Sequence, residues 1–238
     1  MLDMTRSQPG LIDEAGAVGS VLSLENVLAR GRSDIHAFSA ESLVSCELRA
    51  DRVVATYHPI GWSELEVRAT WSALSEFGMG LELQVTTRSV GALQGIEIGV
   101  GLDLNPAFGK DPKITVIPRD AQSAQMTYDG REGNLNRVIT HEVKPATVPV
   151  RWSIDKNCSI NKTHYVSMCF CEDVSRSMYS SSKHGSTLRS DRCFGHDLER
   201  GVVLRARLRG LWLPDEGIET RAEAEALAFA NEPLPLGT

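Results

Sequence analysis

Strict alternation of apolar and polar residues through the middle of the chain sets the fold class. From Glu64 onward, Leu65, Val67, Ala69 and Trp71 fall on one side, and Glu64, Glu66, Arg68 and Thr70 on the other. Leu81, Leu83 and Val85 alternate with Glu82, Gln84 and Thr86, and Ile96, Ile98 and Val100 with Gly95, Glu97, Gly99 and Gly101. A period of two residues is that of a strand with one buried and one wet face. Further strands are expected at 43–48, 52–58, 114–118, 147–153, 165–171 and 202–213, with Gly91, Gly95 and Asn105-Pro106 as punctuation. No amphipathic helix of 10–15 residues separates these runs, so alternating βαβ units are disfavoured. No fixed-period repeat points to a propeller or solenoid. The expected class is all-β, a large antiparallel β-sandwich, with a jelly-roll-like arrangement as one of two alternatives, and with one or two short peripheral helices.

One helix is expected near Thr220, where Thr220-Arg221-Ala222-Glu223 reads as a capping box ahead of an Ala-rich stretch ended by Glu232-Pro233. Residues 20–30 read equally as a short helix or a strand. Residues 1–19 are expected to be loosely ordered, as chain ends usually are. Residues 20–238 are then a single β-sandwich domain with a long Ser-rich loop at 173–191, a stretch with almost no apolar side chains.

Charge and cysteine usage limit the partners and the compartment. Twenty-five basic against 31 acidic side chains leave a net charge of −6. A chain this acidic lacks the global attraction for nucleic acid or anionic lipid that clustered Lys and Arg provide, so neither partner is expected. The first residues carry no apolar signal-type segment, and no run approaches the ~20 apolar residues of a spanning helix. The five cysteines, Cys46, Cys158, Cys169, Cys171 and Cys193, lack the even count and regular spacing of a disulfide framework. A cytoplasmic protein with reduced thiols is the expectation. Oligomeric state is not legible.

Three groups of residues carry candidate chemistry. Arg205, Arg207 and Arg209 share one face of the late strand, ~7 Å from one to the next. They call either for acids across the strands, with Glu64, Glu66, Glu82 and Glu97 available, or for a polar ligand. The second group is Tyr57-His58-Pro59-Ile60-Gly61-Trp62, a turn that places His58 and Trp62 at the rim of the sheet. There Trp62 either stacks on a sugar ring or covers the end of the core. The third is the group Cys158, His164, Cys169, Cys171, His184, Cys193 and His196, without zinc-ligand spacing. Asp103, Asn105, Asp111 and Asp120 lack calcium-loop spacing, and turn propensity explains them. No metal or other cofactor is therefore expected. Phosphate-loop, nucleophile-elbow and metalloprotease signatures are absent.

Together, the strands, the turn bearing His58 and Trp62, and the stretch 201–213 resemble the galactose mutarotase-like, carbohydrate-active β-sandwiches. The resemblance implies a concave sheet that holds a sugar, with a His and a carboxylate transferring protons in the enzymes of that group. No motif here matches the family's catalytic His and Glu, and the chain is short for it. The leading expectation is recognition of a carbohydrate or small anionic ligand on a sheet face by Trp62, Gln84, Arg88, Arg205 and Arg209. A sugar-acting enzyme of epimerase or lyase type would need His58, His141, Glu82 and Arg207 to converge. A structural or assembly protein without a small-molecule site would show an apolar patch or a symmetric contact instead.

Overall fold

The alternating runs fold as expected: each buries its apolar side against a second sheet. The computed structural model describes residues 2–3, 10–12, 18–29, 32–34, 37–74, 78–101, 113–118, 138–143, 149–160, 162–181 and 187–233. The strands are β1 (Leu2–Asp3), β2 (Gly10–Ile12), β3 (Val18–Ala29), β4 (Arg32–Asp34), β5 (Leu43–Arg49), β6 (Arg52–Tyr57), β7 (Leu65–Leu74), β8 (Gly78–Thr87) and β9 (Gly91–Gly101). They continue with β10 (Lys113–Pro118), β11 (Val138–Val143), β12 (Val150–Ile160), β13 (Thr163–Phe170), β14 (Val174–Ser181), β15 (Thr187–Cys193), β16 (His196–Leu198) and β17 (Val203–Pro214), and helix α1 (Ile218–Asn231) closes the series. The first sheet runs β1-β2-β3-β9-β15-β14-β10, with β4 on β3 and β16 on β9. The second runs β11-β12-β13-β17-β8-β7-β6-β5. Every registered pairing is antiparallel.

Two apolar layers hold this together. Between the sheets lie Leu22, Leu24, Ile96 and Ile98 from the first and Leu65, Val67, Trp71, Leu81, Leu83, Val85 and Leu208 from the second. Trp71 is fully buried there, and its indole N–H donates to the Leu22 carbonyl across the layer at 2.7 Å. The second layer lies on the outer face of the second sheet. Val150, Trp152, Ile154, Val166, Met168, Phe170 and Leu211 take the buried side of α1: Ile218, Ala222, Ala226 and Phe229. The i, i+4, i+8, i+11 spacing of those helix residues makes one stripe facing the sheet. So α1 covers the β12-β13-β17 part of the outer face, and the polar rows of β7 and β8 remain beside it.

Several expectations are corrected. The Ser-rich stretch 173–191 is not a long exposed loop: its described residues form most of the β14–β15 hairpin in the first sheet. Ser175, Ser177 and Ser190 serve the sheet. Ser177 and Asp191 are both buried, and the Ser177 hydroxyl donates to the Asp191 carboxylate at 2.5 Å. The strand was hidden because a buried polar pair, Ser177 and Asp191, stands where apolar side chains are usual. Residues 182–186 of that stretch lie outside the described residues. Within the segment 1–19 the described residues are those of β1, β2 and the start of β3. The ambiguous stretch 20–30 is strand up to Ala29. Helix α1 starts two residues before Thr220, with Gly217 as its N-cap in a left-handed conformation, φ 67°, and no side-chain cap. The capping-box sequence therefore sits inside the first turn. The strand expected at 147–153 begins at Val150 and runs on to Ile160. Asp103, Asn105, Asp111 and Asp120 lie outside the described residues.

Candidate functional site

The wet half of the second sheet presents three polar rows, each fixed by register. Arg205 stands opposite Gln84, and Gln84 opposite Arg68. Arg207 stands opposite Glu82, and Glu82 opposite Thr70. Arg209 stands opposite Gly80, and Gly80 opposite Ser72. Gln84 donates to Glu82 Oε1 at 2.9 Å, tying two rows together.

The three arginines meet different fates because α1 ends over part of this face. Arg209 is buried by the end of the helix, where it pairs with Glu232 and lies 4.6 Å from the centre of the Phe229 ring. Arg207 is half-buried, with its guanidinium 4.4 Å from the centre of the Phe170 ring and 5.3 Å from that of Phe229. Burial pushes its pKa below the ordinary arginine value, opposed in order by Glu232, Asp173 and Glu82, with Arg209 adding to the depression. Asp173 also accepts the Arg207 backbone N–H at 3.1 Å. Arg205 sits further along the strand, away from the helix, and is partly exposed.

The step from the helix end down to the bare sheet forms a cleft of about 310 Å³. Its floor holds Thr70, Ser72, Gly80, Glu82 and Arg207. Its sides hold Asp51, Arg52 and Leu74 toward the β5–β6 turn, and Arg209, Phe229, Glu232 and Pro233 toward the helix. Gly80 lies low in the floor, with the Ser72 hydroxyl 3.0 Å from where a β-carbon would stand, so a larger residue would crowd it. Three carboxylates (Asp51, Glu82, Glu232) and three guanidinium groups (Arg52, Arg207, Arg209) face the cleft, a balance of 3 − 3 = 0.

The candidates read from the sequence divide accordingly. Glu82 and Arg207 are cross-strand neighbours in the cleft, and Arg209 borders it as an ion pair. Gln84 and Arg205 occupy the adjoining row. Of the four acids offered as partners for the arginine ladder, Glu82 alone stands opposite it. Glu66 reaches His58, Glu97 lies on the other sheet with Arg192, and Glu64 precedes β7. Trp62 lies outside the cleft. Its ring packs where a Gly91 side chain would be and against the inter-sheet core, and its N–H reaches the Ser89 hydroxyl at 3.4 Å. This is the core-covering role. Arg88 is exposed beyond the end of β8, six residues and ~20 Å along the strand from Glu82.

The two histidines do not join Glu82 and Arg207. His58 lies 3.6 Å from Glu66, and Glu66 is four residues, ~13 Å, along β7 from Thr70. His141 belongs to β11, three strands from β17 and so ~14 Å away at the usual inter-strand spacing. The His58–His141–Glu82–Arg207 constellation required for the enzyme reading is not assembled. Among the described residues no group of three or more His, Cys, Asp or Glu could hold a metal ion. Cys169 and Cys193 are buried in the inter-sheet core. No helix of the described residues is long and apolar enough to cross a membrane.

Thr70 and Ser72 were readable as the polar face of β7. Phe229 and Glu232 were not readable as site residues, because nothing local tells which sheet face a helix end will meet. Asp173 was hidden for the same reason.

No protein-family model matches the chain, and no curated protein matches it by sequence. In fold, the chain is similar to a crystal structure from Klebsiella pneumoniae provisionally named an aldose 1-epimerase. The TM-score is 0.46 and the sequence identity 8%, over 79% of this chain and 58% of that one. The chain thus spans less than two thirds of that structure's length.

Proposed function

We propose that the protein binds a carbohydrate or similar polyhydroxyl ligand in the cleft between α1 and the polar half of the second sheet. The observation that carries this is Glu82 beside Arg207 on the cleft floor, with Arg207 stacked on Phe170 and Phe229. A carboxylate, a guanidinium and two hydroxyls, Thr70 and Ser72, offer acceptors and donors side by side, the mixture that sugar hydroxyls pair with. Leu74, Phe229 and Pro233 supply apolar contact for the C–H faces of a ring. The volume falls at the small end of small-molecule sites, ~300–1,000 Å³.

The balanced lining favours a neutral polyhydroxyl compound over an anion. Arg209 is already matched by Glu232, and Arg207 lies among Glu82, Asp173 and Glu232. An anion would have to displace one of these carboxylates or sit beside it.

Calorimetry against a panel of neutral and acidic saccharides tests the proposal. The expected result is heat from one or more neutral members, lost in R207Q and in E82Q while both variants stay folded. Absence of heat from every member, or binding unchanged in both variants, would refute it.

A further inference from the structure

We infer that Arg176 and Arg192 form an oxyanion-binding site on the outer face of the first sheet, remote from the cleft. The two arginines are direct cross-strand partners in the β14–β15 hairpin. Directly opposite side chains in an antiparallel pair have β-carbons ~5 Å apart, and like charges so placed repel. Among the described residues only one of the two guanidinium groups has an acid partner. Arg192 Nη2 pairs with Glu97 Oε1 at 3.0 Å, and Glu97 also accepts from the Asn26 amide at 3.1 Å. Arg176 has no ion pair among the described residues.

A second observation points the same way. The Nε atoms of Arg176 and Arg192 are both shielded from solvent, and neither has a hydrogen-bond partner. A buried donor without an acceptor is costly, and here two such donors belong to facing guanidinium groups. The arrangement is also held in place. The Arg192 stem lies over β9 where Gly95, at φ 153°, carries no side chain, and a β-carbon there would collide with it. The Ser175 hydroxyl donates to the Arg192 carbonyl at 3.1 Å, fixing the backbone at the point where the β14–β15 register shifts. Both side chains are partly exposed, so a ligand can reach their terminal Nη groups from solvent while the Nε atoms stay shielded.

The missing group is an oxygen anion with two or more acceptor oxygens. A carboxylate or a phosphate accepts the parallel N–H donors of a guanidinium edge, and one anion between two arginines cancels their repulsion. Arg192 keeps Glu97, with Glu25 beside it, and it is Arg176, without an acid partner among the described residues, whose charge a single anionic group answers. This site recognises charge. The cleft on the other sheet, with its balanced lining, does not.

The test titrates inorganic phosphate, and separately malonate, into the ¹⁵N-labelled full chain at constant ionic strength, with chloride as the reference salt. The Arg Nε–Hε signals of Arg176 and Arg192 are followed by NMR. Both are expected to shift along one saturable isotherm, and chloride to leave them in place. Response to phosphate alone assigns a phosphoryl group, response to malonate alone a carboxylate, and response to both an oxyanion site without that choice. R176Q is expected to weaken binding about tenfold or more, the scale of one charge-assisted bidentate contact. R176K keeps the charge and the fold but loses the planar fork, and is expected to bind more weakly than wild type. R68Q, which removes an arginine from the other sheet, is expected to change nothing. Silence of both signals toward both anions would overturn the inference, as would R176Q and R176K binding as tightly as wild type.

Discussion

Replacing Glu25 by Gln makes the folded protein more stable at neutral pH and leaves it unchanged in acid. Glu25 is the extra residue where the β3–β9 register shifts between Leu24 and Asn26. Its carboxyl lies over Gly99, where a β-carbon would collide with it. Burial is the main force on this group and raises its pKa from 4.5 to about 6. The neighbouring Glu97 carboxylate raises it further, and a 3.5 Å hydrogen bond from the Ser190 hydroxyl opposes them. Glu97 is itself engaged by Arg192.

A folded-state pKa above the unfolded one means that the folded chain holds the proton more tightly. Below about pH 4.5 the group is protonated in both states and costs nothing. As pH rises through about 6, the folded state must keep an ionised carboxylate where it is disfavoured, and stability falls. A rise from 4.5 to about 6, at ~1.4 kcal/mol for each tenfold change in proton affinity, gives a loss of ~2 kcal/mol, complete above pH ~7. E25Q removes this titration. Urea denaturation followed by tryptophan fluorescence at pH 4, 5, 6 and 7.5 reads the difference between the two proteins, so that all other titrating groups cancel. The expected stability gain of E25Q is near zero at pH 4 and rises to ~2 kcal/mol at pH 7.5. A gain that does not change with pH, or that grows toward acid, would refute the reasoning.

Further predictions concern the two apolar layers and the close contact on β17. Trp71→Ala removes the largest fully buried side chain and its bond to Leu22, and is expected to cost ~3–5 kcal/mol by denaturation. Phe229→Ala unseats the end of α1 and the ring on which Arg207 and Arg209 stack. It is expected to cost ~3–5 kcal/mol and to lower the helical circular dichroism signal. Gly210→Ala places a β-carbon on the Tyr165 ring, and a loss of ~1–3 kcal/mol in denaturant unfolding checks it.

The fold class was legible because a two-residue period leaves little freedom. Leu65, Val67, Ala69 and Trp71 have to share a face, and that face has to be covered. The β14–β15 hairpin escaped because Ser177 and Asp191 pair with each other inside the sheet, so the usual apolar inner row is broken. The helix near Thr220 was legible, but its cap was not: Gly217 supplies a left-handed turn and Thr220 makes no side-chain cap. Of the site, the sheet half was legible: Glu82 and Arg207 stand opposite each other once the strands are placed. The helix half was not, since the docking of Phe229 and Glu232 follows from how α1 crosses the outer face. Trp62 shows the opposite case, in which a rim aromatic suited to a sugar packs instead over Gly91.

The claim that the cleft is a binding site is tested most directly by backbone amide NMR. A neutral saccharide mixture is titrated into the ¹⁵N-labelled full chain, and the perturbed residues are mapped. The account predicts saturable shifts centred on Thr70, Ser72, Glu82, Arg207 and Phe229, with Trp62 and Arg88 unmoved. Shifts centred on Trp62 and Arg88 with the cleft residues silent, or no shifts at all, would contradict it.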